Sequence, residues 1–287
     1  MTPDRTPALS RATVDRDAAT REDDAALERA WEQGKVVVVD NGAANVTDDG
    51  PTLVLVDSAD APEGERLYLG RDEESSYFAV AAKPPRRLGA RSMNLREVGA
   101  LLDDRDAGLL VHAVGLANWH ASHPCCARCG APTEVARGGS IRRCPVDGSE
   151  HFPRTDPAVI MLVTDGADRC VLGRQPIWPA GRYSTLAGFV EPGESAEQAV
   201  VREVVEETGL RVRDVQYRGS QPWPFPASLM LGFRAVCDGD ATPRPRDGEL
   251  EDARWFDKDE LRGQSGTLLP TPVSIAWRLI TDWIDGV

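Results

Sequence analysis

Glu203, Glu206 and Glu207 are spaced i, i+3 and i+4, so on a helix their carboxylates share one face and one turn. On an ordinary exposed helix, like charges at these spacings cost roughly 0.2–0.5 kcal/mol per pair. A cation between them removes that cost. Mg2+ or Mn2+ suits the position, because hard ions take carboxylate oxygens and complete their shell with water and substrate phosphate. Such an ion can polarise a phosphoryl oxygen and lower the pKa of an attacking water. Most glutamate runs are solvated helix faces. This one is framed by Gly188, Glu194, Arg202 and Gly209 in the pattern G-x5-E-x7-R-E-U-x-E-E-x-G-U, where U is aliphatic, and the frame argues for chemistry. Arg202 is expected to pair with a neighbouring carboxylate and orient it.

The elements that must hold these groups are legible around them. Ser195 can cap a helix that runs through Ala196, Ala199, Val200, Val204 and Val205 until Gly209 stops it. Strands are expected at 158–163 and 170–172, with Asp165 and Gly166 in the turn, and residues 183–190 lead into the helix. Further strands are expected near 212–217, 229–236 and 253–256, then a closing helix from about Val273 to Asp285. Strands between two helices make an α/β/α sandwich.

A second cluster is sulfur-based. Cys126, Cys129 and Cys144 have the spacing of two facing knuckles of a zinc ribbon, which asks for four tetrahedral ligands. Asp147 stands where a fourth cysteine would complete the second knuckle. His151 competes as a better ligand type at a less favourable spacing, and a ribbon that folds without metal is the remaining alternative. Cys125 reads as a bystander, Cys170 and Cys237 as small core residues, and His112, His120 and His123 as structural or exposed.

A third segment, Ser220 to Ser228, sets Trp223 and Phe225 among Pro222, Pro224 and Pro226. Its ring faces could stack on a nucleobase or nicotinamide, with Gln221 and Ser228 offering hydrogen bonds. Taken alone, the same rings could simply fill a core.

Composition frames these motifs. The 287 residues are 41% hydrophobic and 28% charged, enough for two globular domains with real cores. The net charge of −13 argues against general DNA or RNA binding, although a local basic patch from Lys83 to Arg91 could still act. No apolar run has membrane-spanning length and no signal-peptide core is visible, so a cytoplasmic location without membrane attachment is expected. Six cysteines grouped in this way suit that compartment better than a disulfide framework.

Along the chain, residues 1–25 read as a flexible tail and 26–122 as a small mixed β domain. Its expected elements are a helix near 25–33, strands at 35–39, 52–56, 66–69 and 77–81, and helices at 94–102 and 106–120. The ribbon follows at 123–152 and the catalytic domain at 153–287, giving an α+β fold class.

The glutamate motif, the ribbon and S-Q-P-W-P-F-P-x-S, in this order and at these separations, resemble the NADH pyrophosphatase (NudC-type) family of Nudix hydrolases. The resemblance covers the chain from about Asn94 to its end and only loosely the residues before it. It implies hydrolysis of NAD(H) to nicotinamide mononucleotide and AMP, removal of NAD caps from RNA, and a homodimer. By resemblance, the metal ligands are Glu203, Glu207, the Ala187 carbonyl, and Glu249 in the Asp247–Leu250 segment. Glu206 or Glu207 is the base, with Glu207 favoured. Substrate contacts are implied for Gln221, Pro222, Trp223, Pro224, Phe225, Pro226, Ala227, Ser228, Ala276, Phe152 and Arg96. The chain departs from the family at Asp147, where a cysteine is expected, and at Phe152, where tyrosine is frequent. On the motifs alone, hydrolysis of ADP-ribose, coenzyme A or dinucleoside polyphosphates is the rival activity. A non-catalytic nucleotide sensor or RNA-binding ribbon protein is the rival class.

Overall fold

The computed structural model describes residues 6–239, 241–246, 248–263 and 266–287, which fall into two compact units. One comprises residues 9–155 together with Trp223–Ala227; the other comprises the chain up to Ala8, Asp156–Pro222 and Ser228–Val287.

The first unit begins with helices α1 (Ala18–Arg21) and α2 (Asp24–Glu32). Six strands follow: β1 (Lys35–Asp40), β2 (Ala43–Thr47), β3 (Val56–Asp57), β4 (Arg66–Arg71), β5 (Ser76–Ala81) and β6 (Ala90–Asn94). They form one sheet in the order β4-β5-β1-β2-β6, with β3 also on β1. The run Val36–Val39 is buried throughout. A continuous apolar strand of this kind has both faces covered. Helix α3 (Leu95–Val98) follows, then α4 (Asp104–Ser122), which buries Leu109, Leu110, Ala113 and Val114. Strands β7 (Glu134–Ala136), β8 (Ile141–Arg143) and β9 (Glu150–His151) form a separate three-stranded sheet.

Several expectations need correction here. The described part of the supposed tail is built into the fold: Leu9 is 1% exposed, and Asp15 exchanges backbone hydrogen bonds of 2.9 and 2.8 Å with Arg71. The Asp17 carboxylate accepts hydroxyl hydrogen bonds from Thr20 and Tyr68. These polar residues look like tail in sequence because their partners lie far along the chain. Residues 1–5 lie outside the described residues. The strand expected at 52–56 is reduced to β3 and a single bridge from Leu53 to Val46. β2 and β6 carry too little apolar alternation to be read. The helix expected at 94–102 is the single turn α3.

The second unit contains β10 (Asp156–Thr164), β11 (Arg169–Arg174), β12 (Leu186–Phe189), α5 (Ala196–Thr208), β13 (Val212–Trp223), β14 (Ser228–Cys237), β15 (Asp252–Asp257), α6 (Lys258–Leu261) and α7 (Ile275–Ile284). Its sheet runs β13-β14-β10-β11-β15, with β12 also on β10. Period-two alternation explains the layers. Val159, Met161 and Val163 of β10 pack with Ala199, Val200 and Val204 of α5. Ile160 and Leu162 between them pack with Ile275, Leu279 and Ile280 of α7. The sheet thus lies between two helices, the α/β/α sandwich expected, and the whole chain is α+β.

Candidate active site and metal centres

Helix α5 starts where its sequence says it should. Ser195 and Gln198 form a reciprocal capping box, and Gly209 ends the helix at φ 72°, a left-handed conformation that glycine adopts without strain. Arg202 organises the acidic side. Its Nε and Nη2 donate to the two oxygens of Glu194 at 2.7 and 2.8 Å, and its Nη1 donates to Glu203 at 2.7 Å and Glu206 at 2.9 Å. Nη2 also donates to the Phe189 carbonyl at 2.9 Å, which ties the helix to the end of β12. The bidentate pair holds the Glu194 carboxyl down at about 2, and the three carboxylates push the Arg202 guanidinium up.

Gly188 of β12 is demanded by packing. A Cβ at this position would collide with the Glu203 carboxylate, which lies directly against the strand backbone. Burial pushes the Glu203 carboxyl up against the pull of Arg202, and the charges of Glu206 and Glu249 add to the push. Glu207 is 2% exposed, whereas Glu206 is exposed. Glu249 is also exposed and accepts a hydrogen bond from Gln175 Nε2 at 3.0 Å, a partner no motif in the sequence signals. Asp247 lies outside the described residues. Ala187 pairs with Ile160 across the sheet and packs its methyl into the α7 side of the core, so only its carbonyl could serve as a ligand. An oxygen-only donor set with several negative charges and one organising arginine fits Mg2+ or Mn2+.

The Pro-aromatic segment is the end of a hairpin. β13 extends through Trp223, residues 224–227 form the turn, and β14 begins at Ser228. Gln221 is fully buried and donates from Nε2 to the Val273 carbonyl at 2.6 Å, while no protein group bonds its Oε1 among the described residues. Within the first unit, Trp223 and Phe225 meet edge to face at 4.9 Å. The Arg96 guanidinium lies 4.2 Å from the Phe225 centroid and 5.3 Å from that of Trp223, in cation–π range. Asn94 positions it by capping α3 in a reciprocal box with Glu97. Asn118 holds the turn by donating to the Pro224 carbonyl at 3.0 Å. The structure therefore unites Arg96 with the two rings. Phe152 makes no ring contact with them among the described residues and is itself exposed. Ala276 is buried in the first turn of α7, with its amide donating to the hydroxyl of the capping Ser274 at 3.1 Å.

In the ribbon, one ligand atom each from Cys126, Cys129, Cys144 and Asp147 lie within 4.8 Å of one another. Cys129 and Cys144 sulfurs are 3.6 Å apart, as are Cys126 Sγ and Asp147 Oδ2. Zn–S bonds of about 2.3 Å in a tetrahedron place ligand atoms about 3.8 Å apart, close to the separation of these two pairs. His151 is outside this set, its Nε2 lying 3.2 Å from the Ser149 hydroxyl. Ser149 is the residue that sequence reasoning missed. Its hydroxyl is the largest influence drawing the Cys126 thiol down to about 6, and its hydroxyl and amide hold the Asp147 carboxyl well below the usual range. Burial raises Cys144 to about 11. Cys125 is exposed, and Cys170 and Cys237 are buried. His120 is structural, with its ring between the Gly139 carbonyl and Arg142.

Residues 154–275 match the NUDIX domain, 121–152 the NADH pyrophosphatase zinc ribbon domain, and 26–119 the NADH pyrophosphatase-like rudimentary NUDIX domain. The chain is 44% identical to the NAD-capped RNA hydrolase NudC of Mycobacterium bovis over 295 residues, covering 96% of this chain and 94% of that protein. It is 41% identical to the Deinococcus radiodurans enzyme of the same name, over 80% of this chain and 83% of the relative. With a match of this length and identity, the chain belongs to the NudC-type NADH pyrophosphatase family of Nudix hydrolases.

Proposed function

We propose that this protein hydrolyses the diphosphate bond of NAD(H), giving nicotinamide mononucleotide and AMP, and removes the same dinucleotide from NAD-capped RNA. The observation that carries the reading is the Glu203 carboxylate lying against Gly188, with Glu206 and Glu249 adding charge around it. Concentrated negative charge of this kind is stable and useful when a divalent cation and a diphosphate share it.

Glu203, Glu207, Glu249 and the Ala187 carbonyl are the proposed ligands. Bound Mg2+ or Mn2+ supplies neutralisation of the diphosphate and a lowered pKa for water. Arg202 takes one oxygen each of Glu203 and Glu206, which fixes both carboxylates before substrate arrives. Glu207 accepts the proton of the attacking water, with Glu206 the alternative base. Water adds to one phosphorus in line with the departing phosphate oxygen of the other nucleotide, which leaves with a proton. Trp223, Phe225 and Arg96 hold a ring of the dinucleotide, and Gln221, Pro222, Pro224, Pro226, Ala227, Ser228, Phe152 and Ala276 complete the family's contact set. Zinc on Cys126, Cys129, Cys144 and Asp147 holds the ribbon in shape. A homodimer acting in the cytoplasm completes the proposal. No described helix is long and apolar enough to cross a membrane.

The test is steady-state hydrolysis of NADH, NAD+, NAD-capped RNA, ADP-ribose and coenzyme A with Mg2+ and with Mn2+. NADH and capped RNA are expected to lead, and Glu207→Gln to lose roughly 100- to 10,000-fold in kcat, the range of a general base. Near-wild-type NADH hydrolysis by that variant rejects the assignment.

A further inference from the structure

A cleft of about 540 Å³ beside β6 belongs to none of the groups described so far. Its walls include Lys83, Arg86 and Arg87 from the loop between β5 and β6, Asn45 of β2, Ser92 of β6, and one carboxylate, Asp40. The loop is fixed rather than loose: Pro84 and Pro85 restrict its backbone, Asn45 Nδ2 donates to the Pro85 carbonyl at 2.8 Å, and the Asp48 amide donates to the Gly89 carbonyl at 3.0 Å. Lys83, Arg86 and Arg87 are exposed. Among the described residues Lys83 and Arg86 enter no ion pair, while Arg87 adds to the stronger effect of Lys35 in lowering the Asp57 carboxyl. Three cations against one carboxylate form a locally positive trough on a chain whose net charge is −13.

The chemistry of the trough fits several phosphates in a row better than one small anion. Its three cations are exposed and face an open cleft, as on surfaces that follow a nucleic-acid backbone. Its position adds direction. β6 leads from Ser92 to Asn94, which caps α3, and α3 carries Arg96 onto Phe225 and Trp223. Four residues at about 3.3 Å each place Ser92 no more than about 13 Å from Arg96 along the backbone. The cleft is thus within reach of the first nucleotides of a chain whose 5′ end sits on the aromatic pair.

We propose that Lys83, Arg86 and Arg87 bind the backbone phosphates of RNA downstream of the NAD cap. This assignment rests on the function proposed above and extends it to the polymer. The net negative charge repels free RNA, so the cleft acts on a strand already held by its cap, where effective concentration replaces intrinsic affinity. Free NAD(H) ends before the cleft and gains nothing from it.

The experiment compares wild type with the triple variant Lys83→Ala, Arg86→Ala, Arg87→Ala on NADH and on a short NAD-capped RNA across a salt series. A thermal melt confirms that the variant is folded. NADH hydrolysis is expected to be unchanged, while the KM for capped RNA rises at low salt. Three lost phosphate contacts at about 0.7 each flatten the log–log salt slope by about 2, so a fourfold rise in salt weakens wild type roughly 20-fold more than the variant. Equal salt dependence in the two proteins overturns the proposal, and so does a parallel loss on both substrates. A wild-type protein inactive on both substrates overturns the function itself.

Discussion

Arg202 shows how a single residue sets the chemistry of its neighbours. It bonds three glutamates and the Phe189 carbonyl at once, so its guanidinium is both counter-charge and spacer. The Glu194 carboxyl, ordinarily near 4.5, is held at about 2 by this pair. A carboxyl depressed on folding contributes stability above its unfolded value, and that contribution is lost as pH falls through the folded value. Wild type should therefore melt higher than Glu194→Gln at neutral pH. The gap should narrow between pH 4.5 and about 2, followed by thermal melts in graded acid. Trp223 presents a different kind of dependence, since stacking is worth roughly 1–3 kcal/mol per base. Trp223→Ala should raise the KM for NADH accordingly while leaving kcat closer to wild type, a split that steady-state kinetics reads directly.

At the scale of elements, the site is made by pressing α5 against β12. The helix is legible from its own residues: Ser195 and Gln198 cap it, Ala199, Val200 and Val204 bury one face, and Gly209 stops it. The strand is short and weakly patterned, and its role shows only where Gly188 meets Glu203. Gly188→Ala should move the Glu203 side chain while the sheet keeps its register. Displacement of about 1 Å at a reacting centre can cost about 100-fold, so kcat/KM should fall on that order with little change in melting temperature. A large fall in melting temperature would show that the strand itself cannot tolerate the methyl group. The hairpin of β13 and β14 carries a related lesson. Trp223 and Phe225 could be named from sequence, but that Arg96 lies over them depends on α3, a single turn fixed by Asn94 and Glu97.

For the molecule as a whole, the ribbon gathers its ligands from two knuckles some fifteen residues apart. Three cysteines and Asp147 come together, and His151 stays outside. Purified protein should contain one zinc per chain by elemental analysis. Asp147→Ala should lose it to a chelator at lower concentration, Asp147→Cys should hold it more tightly, and His151→Ala should leave retention unchanged. Equal retention by Asp147→Ala and wild type would remove Asp147 from the ligand set. Local pattern determined a great deal of this protein: the α5 cap and stop, the two-faced strand β10, the three-cysteine cluster and the spacing of the glutamates all follow from neighbours in sequence. Tertiary structure decided what sequence separation hides. It packed Leu9 and Asp17 into the fold, gathered Asp147 with the three cysteines, set the Ser149 hydroxyl against Cys126, brought Gln175 to Glu249 and laid Arg96 on two rings far along the chain. The physical reason is the same in each case. Helical and strand periodicity, capping and turn chemistry act over a few residues and leave a mark in the sequence there, whereas a hydrogen bond or stacking contact between distant segments leaves none until the core has brought them together.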